Sequence, residues 1–309
     1  RGLECGVETR INARPENQDR VAAADLCDIG FLAAVFDGHG ATTCADYVSQ
    51  TLPSVIHNVF CSQSQQVKGG LTTLSPKDEE NLITSTLVKA FDATDKEFCK
   101  SARQMKLYDG STAVVALLAH GFEAPPGKAT VAGTDGGVAK LFVAWCGDSR
   151  AVLVRGNRAV RLSQDHKPER QDETRRIEKA GGAVVMDAGG THRVGSKRDQ
   201  PFDQWLSTSR SFGDLTLKEP DPLVISEPDL HVRILTPEDW AVVLVCDGIT
   251  DVLTNQEIAD VCWDVMVKRG SGPVESAKEI ANLAAEKGSG DNLTVFVMRL
   301  GWAMPGGTG

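Results

Sequence analysis

Residues 33 to 40 read AAVFDGHG, an apolar run that ends at Asp37, Gly38, His39 and Gly40. One interpretation is a buried strand closed by an ordinary turn, because Gly accepts positive φ and Asp hydrogen-bonds its own backbone. The other is a strand that carries a carboxylate and an imidazole to a chemical site. These eight residues do not decide between the two, so the decision depends on the rest of the chain.

Further apolar or alternating runs predict a protein rich in strands, several of them buried. Together with the opening stretch they cover residues 20–24, 31–36, 113–118, 141–146, 151–155, 241–246 and 293–298. Helical patterns separate these runs, at 41–60, 168–180 and 255–268, after Ser75, and after Pro273. Strands do not alternate regularly with helices and no internal repeat is found, which disfavours a doubly wound parallel sheet. We therefore expect an α/β protein of the layered α+β type, with antiparallel sheets covered by helices.

Two of the helices have a predicted inward face. The helix after Ser75 and Pro76 has a capping serine and a first-turn proline. Its inward residues are predicted to be Ile83, Leu87, Ala90, Phe91, Thr94 and Phe98. The inward residues of the helix after Pro273 are predicted to be Val274, Ala277, Ala281 and Ala284, with Gly288 as its end.

Composition narrows the function classes. The chain has 309 residues, of which 41% are hydrophobic and 24% charged, which is typical of a soluble globular protein with a large core. The formal charge of −9 argues against nucleic-acid and anionic-membrane surfaces, because both attract a positive field. No apolar run reaches membrane-spanning length. We expect a partner that is neither nucleic acid nor membrane.

The cysteines predict a reducing compartment. Eight are scattered along the chain without a C-x-x-C pair, and several lie inside apolar runs. This pattern favours reduced, buried thiols of a cytoplasmic or nuclear protein over a disulfide framework or a zinc site. The chain begins at Arg1 without an apolar signal segment, so targeting information could precede it.

Five acidic residues lie at predicted strand ends. Asp37, Asp148 and Asp247 follow strands, whereas Asp19 and Asp291 precede strands. Neighbouring antiparallel strands begin and end side by side, so all five side chains could converge on one rim. Such a cluster would repel itself without cations, and oxygen ligands favour Mg²⁺ or Mn²⁺ over Zn²⁺, with Ca²⁺ still open. Each acid taken alone is more simply explained as a solvated strand-end residue, and only their joint placement favours a metal site.

Eight ordered motifs resemble those of the metal-dependent protein serine/threonine phosphatases of type 2C. They are RPENQD (14–19), VFDGHG (35–40), DGSTAV (109–114), WCGDSRAVL (145–153), LSQDHKP (162–168), STSRSFGD (207–214), VLVCDGITDVL (243–253) and GSGDNLTVFV (288–297). The resemblance covers roughly residues 4 to 300. It implies a single catalytic domain over residues 1–309, with 301–309 as a flexible tail. The implied fold is a central sandwich of two antiparallel β-sheets flanked by α-helices.

The resemblance also implies two Mg²⁺ or Mn²⁺ ions per active site. Matched residue by residue, Asp37 resembles the bridging ligand and Gly38 a ligand through its carbonyl. Asp247 and Asp291 resemble the remaining ligands of one ion. Asp19 resembles a ligand or water-holder of the other ion.

Three further roles follow from the same resemblance. Asp148, with Asp247, resembles a pair that holds a weaker third ion in some members. Arg14 resembles the phosphate-binding arginine, a role that suits its planar fork of donors. His39 is expected to protonate the departing oxygen as general acid. The implied reaction is attack of a water activated by two metal ions on phosphoserine or phosphothreonine of phosphoproteins, by a monomeric enzyme.

Alternatives and departures from the motifs remain. A catalytically silent module of the same fold would bind phosphoproteins or a regulator. A calcium-binding structural domain is a more distant hypothesis, because its ligands should cluster in one loop.

Asp251 could bond a metal water or cap a turn. Gln18 stands where many members carry Glu, so metal affinity there is expected to be lower. The segment 195–205 is longer than the usual flap link, so Lys197 and Arg198 are expected to contact the peptide.

Several polar residues of the motifs have simpler expected roles. Thr112 and Ser211 do not lie in a nucleophile elbow, and are expected to serve the backbone or packing. His166 is expected to be structural. The remaining histidines, expected to be surface or packing residues, are His57, His120, His192 and His231.

Overall fold

The computed structural model describes residues 3–27, 29–119, 130–131, 139–196 and 205–303. Two antiparallel sheets of five strands each dominate it. The strands of the first sheet are β1 (Glu4–Arg10), β9 (Arg150–Arg155), β10 (Arg158–Arg161), β15 (Asp239–Val245) and β16 (Leu293–Arg299). The strands of the second are β2 (Arg20–Asp25), β3 (Gly30–Phe36), β6 (Ala113–Ala119), β8 (Lys140–Cys146) and β14 (Asp229–Ile234). Their orders are β1-β16-β15-β9-β10 and β14-β8-β6-β3-β2.

Three smaller sheets accompany these two. A three-stranded sheet of order β13-β5-β4 consists of β4 (Gly38–His39), β5 (Gly110–Ser111) and β13 (Phe212–Gly213). The hairpin of β11 (Gly182–Met186) and β12 (His192–Ser196) is antiparallel. The strands β7 (Thr130–Val131) and β17 (Trp302–Ala303) form a further antiparallel pair. The three-stranded sheet continues β3, and therefore lies where the second large sheet ends.

Helices cover the outer faces of the two large sheets. The helices are α1 (Thr43–Ser64), α2 (Pro76–Met105), α3 (Gln171–Lys179), α4 (Leu215–Lys218), α5 (Asp247–Thr250), α6 (Asn255–Trp263) and α7 (Pro273–Glu286). A 3₁₀ turn spans Leu71–Thr73, and a π-helical segment at Asp264–Lys268 extends α6. Buried side chains of α1 and α2 pack with those of the second sheet, and those of α6 and α7 with those of the first. The predicted sandwich flanked by helices is therefore confirmed.

The core explains why the strands read as uninterrupted apolar runs. In β3, Ala33 and Val35 lie in the cluster between the two sheets, whereas Leu32, Ala34 and Phe36 lie in the cluster under α1 and α2. Successive side chains of a strand point to opposite faces, so a sheet covered on both sides needs apolar residues at every position. All seven predicted strands are present.

The two predicted helix faces have different outcomes. Helix α2 begins as expected, because the Ser75 side chain accepts a hydrogen bond from the Asp78 backbone N–H, and its predicted face is buried. In α7, Ala277, Ala281 and Ala284 are buried, but Val274 is 57% exposed, so that prediction was wrong. The reason is local. A Cβ on Gly6 would overlap the backbone of Pro273 and Val274, so this first turn meets the sheet through its backbone.

Two chain-wide expectations can also be checked. All eight cysteines lie in the described residues, and none forms a disulfide; five of them are buried. Within the described ranges, no helix combines the length and the apolar character needed to cross a membrane.

Candidate metal centre and active site

The three-stranded sheet fixes the backbone of the DGHG stretch. Gly38 pairs with Ser111 and His39 with Gly110, and β13 pairs on the other side of β5. The Thr112 N–H donates to the Asp37 carbonyl at 2.8 Å, and the Asp37 N–H donates to the Thr112 hydroxyl oxygen at 3.2 Å. Thr112 therefore holds the backbone of Asp37, as expected. The opening stretch is both a turn and the anchor of a polar cluster.

Two glycines allow the loops that carry the other acids to come close. A Cβ on Gly38 would lie 2.5 Å from the Gln18 carbonyl oxygen. A Cβ on Gly248 would overlap the Asn292 carbonyl oxygen. The Asp19 loop therefore packs against the Asp37 turn, and the Asp291 loop packs against the start of α5. Only a residue without a side chain permits these approaches.

The carboxylates of Asp19, Asp37 and Asp247 form the centre of the cluster. Asp19 and Asp37 lie with Cys246 in a group whose candidate ligand atoms are all within 4.8 Å of one another. The Asp247 N–H donates to Asp37 Oδ2 at 3.4 Å. Asp19 is 3% exposed, and its Oδ2 is buried without a hydrogen-bond partner. Buried polar atoms normally have partners, so this oxygen is consistent with an ion ligand.

Burial and mutual repulsion raise the pKa of each central acid. Burial raises the pKa of Asp19 to about 6. Burial, with the charges of Asp148 and Asp251, raises the pKa of Asp247 to about 7. The pKa of Asp37 lies well above its usual value, because of burial and the charges of Asp247 and Asp19. Carboxylates with raised pKa values gain most from a divalent cation, which favours their charged form.

The donor set fits a hard cation. Burial raises the pKa of the Cys246 thiol well above its usual value, so it remains protonated and is a poor ligand. The remaining donors are carboxylate oxygens, which suit Mg²⁺ and Mn²⁺. Among the described residues, no histidine or second cysteine belongs to this group.

Two acids at the periphery already have basic partners. Asp148 is buried and ion-paired with Lys167. Burial lowers the pKa of Lys167, but the charge and hydrogen bond of Asp148, together with the charges of Asp247 and Asp251, outweigh it and the net pKa is raised. Arg14 Nη2 donates to Asp291 Oδ2 at 2.6 Å, and the Arg14 side chain is 53% exposed. Burial raises the pKa of Asp251. The nearby Lys167 charge lowers this pKa and the Asp148 charge raises it, and the net pKa is raised.

His39 faces the carboxylate of Asp214, a residue that was not among the predicted site residues. Its Nε2 lies 2.9 Å and 2.8 Å from the two carboxylate oxygens of Asp214. Burial lowers the pKa of His39, but the charge and hydrogen bond of Asp214 outweigh it, so the pKa is raised. The described residues offer its Nδ1 no hydrogen-bond partner. The raised pKa favours the charged form of the His39 ring, and Nδ1 is the nitrogen that Asp214 does not engage.

Asp214 is itself held by several contacts. Ser211 donates its hydroxyl to Asp214 Oδ2, and the Asp214 N–H donates to the Asp109 carbonyl at 3.1 Å. The backbone of Asp214 is left-handed, with φ 50° and ψ 47°, which Asp tolerates better than most residues. Asp109 in turn accepts from the Cys44 N–H at 2.6 Å, at the start of α1. The hydroxyl of Ser211 therefore holds the Asp214 side chain, whereas a backbone or packing role was expected.

Asn292 is the second residue that was missed. Its side-chain N–H groups donate to the carbonyls of Ile11 and Glu16, both at 2.9 Å, and its Oδ1 accepts from the Gln18 N–H at 2.9 Å. It thereby fixes the loop that carries Arg14 and Asp19. Gln18 directs its Nε2 to Glu16 Oε1 at 3.0 Å. Asn292 and Asp214 both lie in the quoted motifs, but their partners are distant in the chain, so no spacing reveals them.

The other predicted residues fall outside this cluster. His166 is fully buried and its Nδ1 accepts from the Gly147 N–H at 3.0 Å, in agreement with a structural role. His57 lies 3.6 Å from the Cys61 sulfur on α1, His192 pairs with Glu169, and His231 lies on β14. His120, Lys197, Arg198 and the remainder of segment 197–204 lie outside the described residues.

Comparison with known proteins gives a consistent result. The family model for Protein phosphatase 2C matches residues 19–293. Probable protein phosphatase 2C 59 of Arabidopsis thaliana is 34% identical over 280 residues, covering 90% of this chain and 72% of that protein. The mitochondrial Protein phosphatase 1K of Xenopus laevis is 32% identical over 303 residues, covering 96% and 68%. The crystal structure of serine-threonine phosphatase 2C from Toxoplasma gondii superposes with a TM-score of 0.76 at 22% identity, covering 96% and 95%, and so has the same fold.

Proposed function

The chain belongs to the protein phosphatase 2C family, and we propose that it hydrolyses phosphoserine and phosphothreonine side chains of phosphoproteins with Mg²⁺ or Mn²⁺ in the carboxylate cluster. The observation that carries this proposal is the pairing of two features. Buried carboxylates with raised pKa values and an unpartnered oxygen on Asp19 form one side of the site. A histidine with a raised pKa forms the other.

The metal ligands of the proposal are the oxygen donors of the cluster. For two ions they are Asp19, Asp37, the carbonyl of Gly38, Asp247 and Asp291. Ions held by these residues would neutralise the acids and would supply a water molecule of lowered pKa as the nucleophile. Asp148, with Asp247, would hold a weaker third ion only after Lys167 leaves Asp148, because the ammonium group already pairs with that carboxylate.

His39 supplies the proton that the departing serine oxygen needs. A serine alkoxide is strongly basic, so protonation as the bond breaks lowers the barrier. The Asp214 carboxylate holds Nε2 and stabilises the imidazolium, which leaves Nδ1–H as the donor. The raised pKa of His39, caused mainly by the Asp214 charge and hydrogen bond, favours the protonated ring, which is the form that the step requires.

Arg14 orients the phosphate. One of its terminal nitrogens is engaged by Asp291, which places the guanidinium beside the acidic cluster. The guanidinium has further N–H donors in a planar fork, the geometry that binds two phosphate oxygens. Its exposure makes it accessible to a substrate that arrives from solvent.

Phosphate release from a phosphoserine peptide tests the proposal. We expect turnover with Mn²⁺ or Mg²⁺ and its loss in Asp37→Asn. Asp92→Asn is the matched control, since Asp92 is an exposed acid on α2 that pairs with Lys96. A protein that binds the phosphopeptide without releasing phosphate at any metal concentration would instead be a silent binding module.

A further inference from the structure

A pocket lies next to His39, beside the proposed active site. Its volume is about 250 Å³. The residues that matter in its wall are His39, Tyr108, Trp205, Leu206, Asp214 and Leu217. Because His39 and Asp214 belong to both, the pocket and the proposed active site share a wall.

The apolar side of the pocket is preformed. Leu206 exchanges two backbone hydrogen bonds with Val194, at 2.8 Å and 3.1 Å, so the chain that carries Trp205 is tied to β12. A Cβ on Gly195 would overlap the indole ring of Trp205, which shows that the ring lies directly on that glycine. Tyr108 is 59% exposed and forms the accessible rim. A rigid wall costs little conformational entropy when a ligand binds.

We propose that this pocket binds one apolar side chain of the phosphoprotein substrate, two residues away from the phosphorylated one. The inference rests on the proposed function. His39 must contact the departing oxygen, so the peptide that carries this oxygen passes the mouth of the pocket. In an extended peptide, side chains two positions apart point to the same side and are separated by roughly 6.6 Å. The second side chain therefore reaches a pocket adjoining the one that receives the phosphate.

The chemistry of the wall selects the occupant. A cavity of about 150 Å³ lined by apolar side chains already accommodates benzene, so this pocket has room for a leucine, methionine or phenylalanine side chain. None of the lining residues that the structure describes is Lys or Arg, and Asp214 contributes a negative charge. His39 in the same wall is already paired with Asp214, so the described lining offers an acidic side chain no free cation. An apolar one loses contact with water against Trp205, Leu206 and Leu217.

A positional scan of phosphopeptides tests this assignment. The parent is an alanine-rich phosphoserine peptide, and single leucines replace alanine at each position up to three residues on either side. One of the two positions two residues away should raise kcat/KM about 10-fold or more, the discrimination that an apolar pocket gives. Tyr108→Ala and Trp205→Ala should each reduce this ratio. Tyr108→Ala keeps the test valid if Trp205→Ala fails to fold, because Tyr108 is mostly exposed.

Met105→Ala is the matched control, since Met105 is 61% exposed at the end of α2 and does not line the pocket. It should keep the wild-type ratio. Equal kcat/KM values for all peptides would overturn the pocket assignment while leaving the phosphatase proposal intact. A leucine preference that survives in both pocket variants would also overturn it. Failure to hydrolyse any phosphopeptide or aryl phosphate with Mg²⁺ or Mn²⁺ would refute the proposed function, and the pocket assignment with it.

Discussion

Replacing Asp214 by Asn changes the partner of His39 with little effect on shape. The two carboxylate oxygens at 2.8 Å and 2.9 Å become one amide, which can still accept a hydrogen bond from Nε2. Asn also tolerates the left-handed backbone of this position. Ser211 retains an acceptor. The variant therefore removes the negative charge while keeping the fold.

The size of the effect follows from the lost interaction. A hydrogen bond to a charged group contributes roughly 1.5–3 kcal/mol, so phosphoserine-peptide hydrolysis should slow by about 10- to 150-fold. Loss of the Asp214 charge also lowers the pKa of His39. A general acid acts only while protonated, so the alkaline limb of the pH–rate profile should move to lower pH. The loss of rate should therefore be larger at pH 8 than at pH 6.5.

The assay compares two leaving groups at the same pH and Mn²⁺ concentration. p-Nitrophenolate leaves almost unaided. Asp214→Asn should therefore slow the hydrolysis of p-nitrophenyl phosphate much less than the hydrolysis of the phosphoserine peptide. His39→Ala should slow the peptide by on the order of 10²- to 10⁴-fold and the aryl ester far less. In the His39→Ala background, Asp214→Asn should have no further effect on the peptide, because the two residues act as one unit.

Two results would refute this reasoning. Equal slowing of both esters, with metal content unchanged, would mean that Asp214 supports the metal centre or the fold instead of the acid. Full additivity of the two substitutions would mean that Asp214 acts independently of His39.

Three other predictions concern the metal centre. Chelation should abolish phosphate release, Mn²⁺ or Mg²⁺ should restore it, and Asp247→Asn should raise the Kd for Mn²⁺ in calorimetry; full turnover after exhaustive chelation would contradict the proposal. The pKa of Asp19 is raised to about 6 and that of Asp247 to about 7. Protonation of these two acids therefore stabilises the apoprotein at low pH, and this stabilisation is lost as the pH rises through the two values. Because Mn²⁺ binds the deprotonated acids, the increase in Tm on adding Mn²⁺ should be larger at pH 7.5 than at pH 5.5. Gly248→Ala should cost about 1–3 kcal/mol of unfolding free energy through overpacking against the Asn292 carbonyl, measured by denaturant unfolding, whereas Gly290→Ala, which would meet nothing within 4 Å, should cost far less.

The sequence was informative where burial was complete. Strands such as β3 and β15 are apolar at nearly every position because both of their faces are covered, so they could be predicted. β1 and β14 could not, because their residues are mostly only half-buried and polar residues interrupt the pattern. Their extended form depends on pairing with neighbours. β14, for example, is set by its register against β8.

The same distinction applies to the site. Asp37 and Asp247 could be selected because each directly follows an apolar strand, and strand ends are recognisable in a sequence. Asp214 and Asn292 could not, since their importance depends on a histidine and on a loop that are far away in the chain. The predicted burial of Val274 was wrong for a related reason. A helical pattern in the sequence does not show that Gly6 brings the sheet against the helix backbone.

The sheet formed by β4, β5 and β13 has a consequence for how the molecule assembles. It joins three distant parts of the chain through strands of only two residues each. The entropy of closing long loops must be overcome before so few hydrogen bonds can form, so these strands can pair only once the two large sheets have brought them together. Catalytic geometry is thus acquired late in folding. We expect it to be lost when this sheet opens locally, so enzymatic activity should report partial unfolding before the helix content changes.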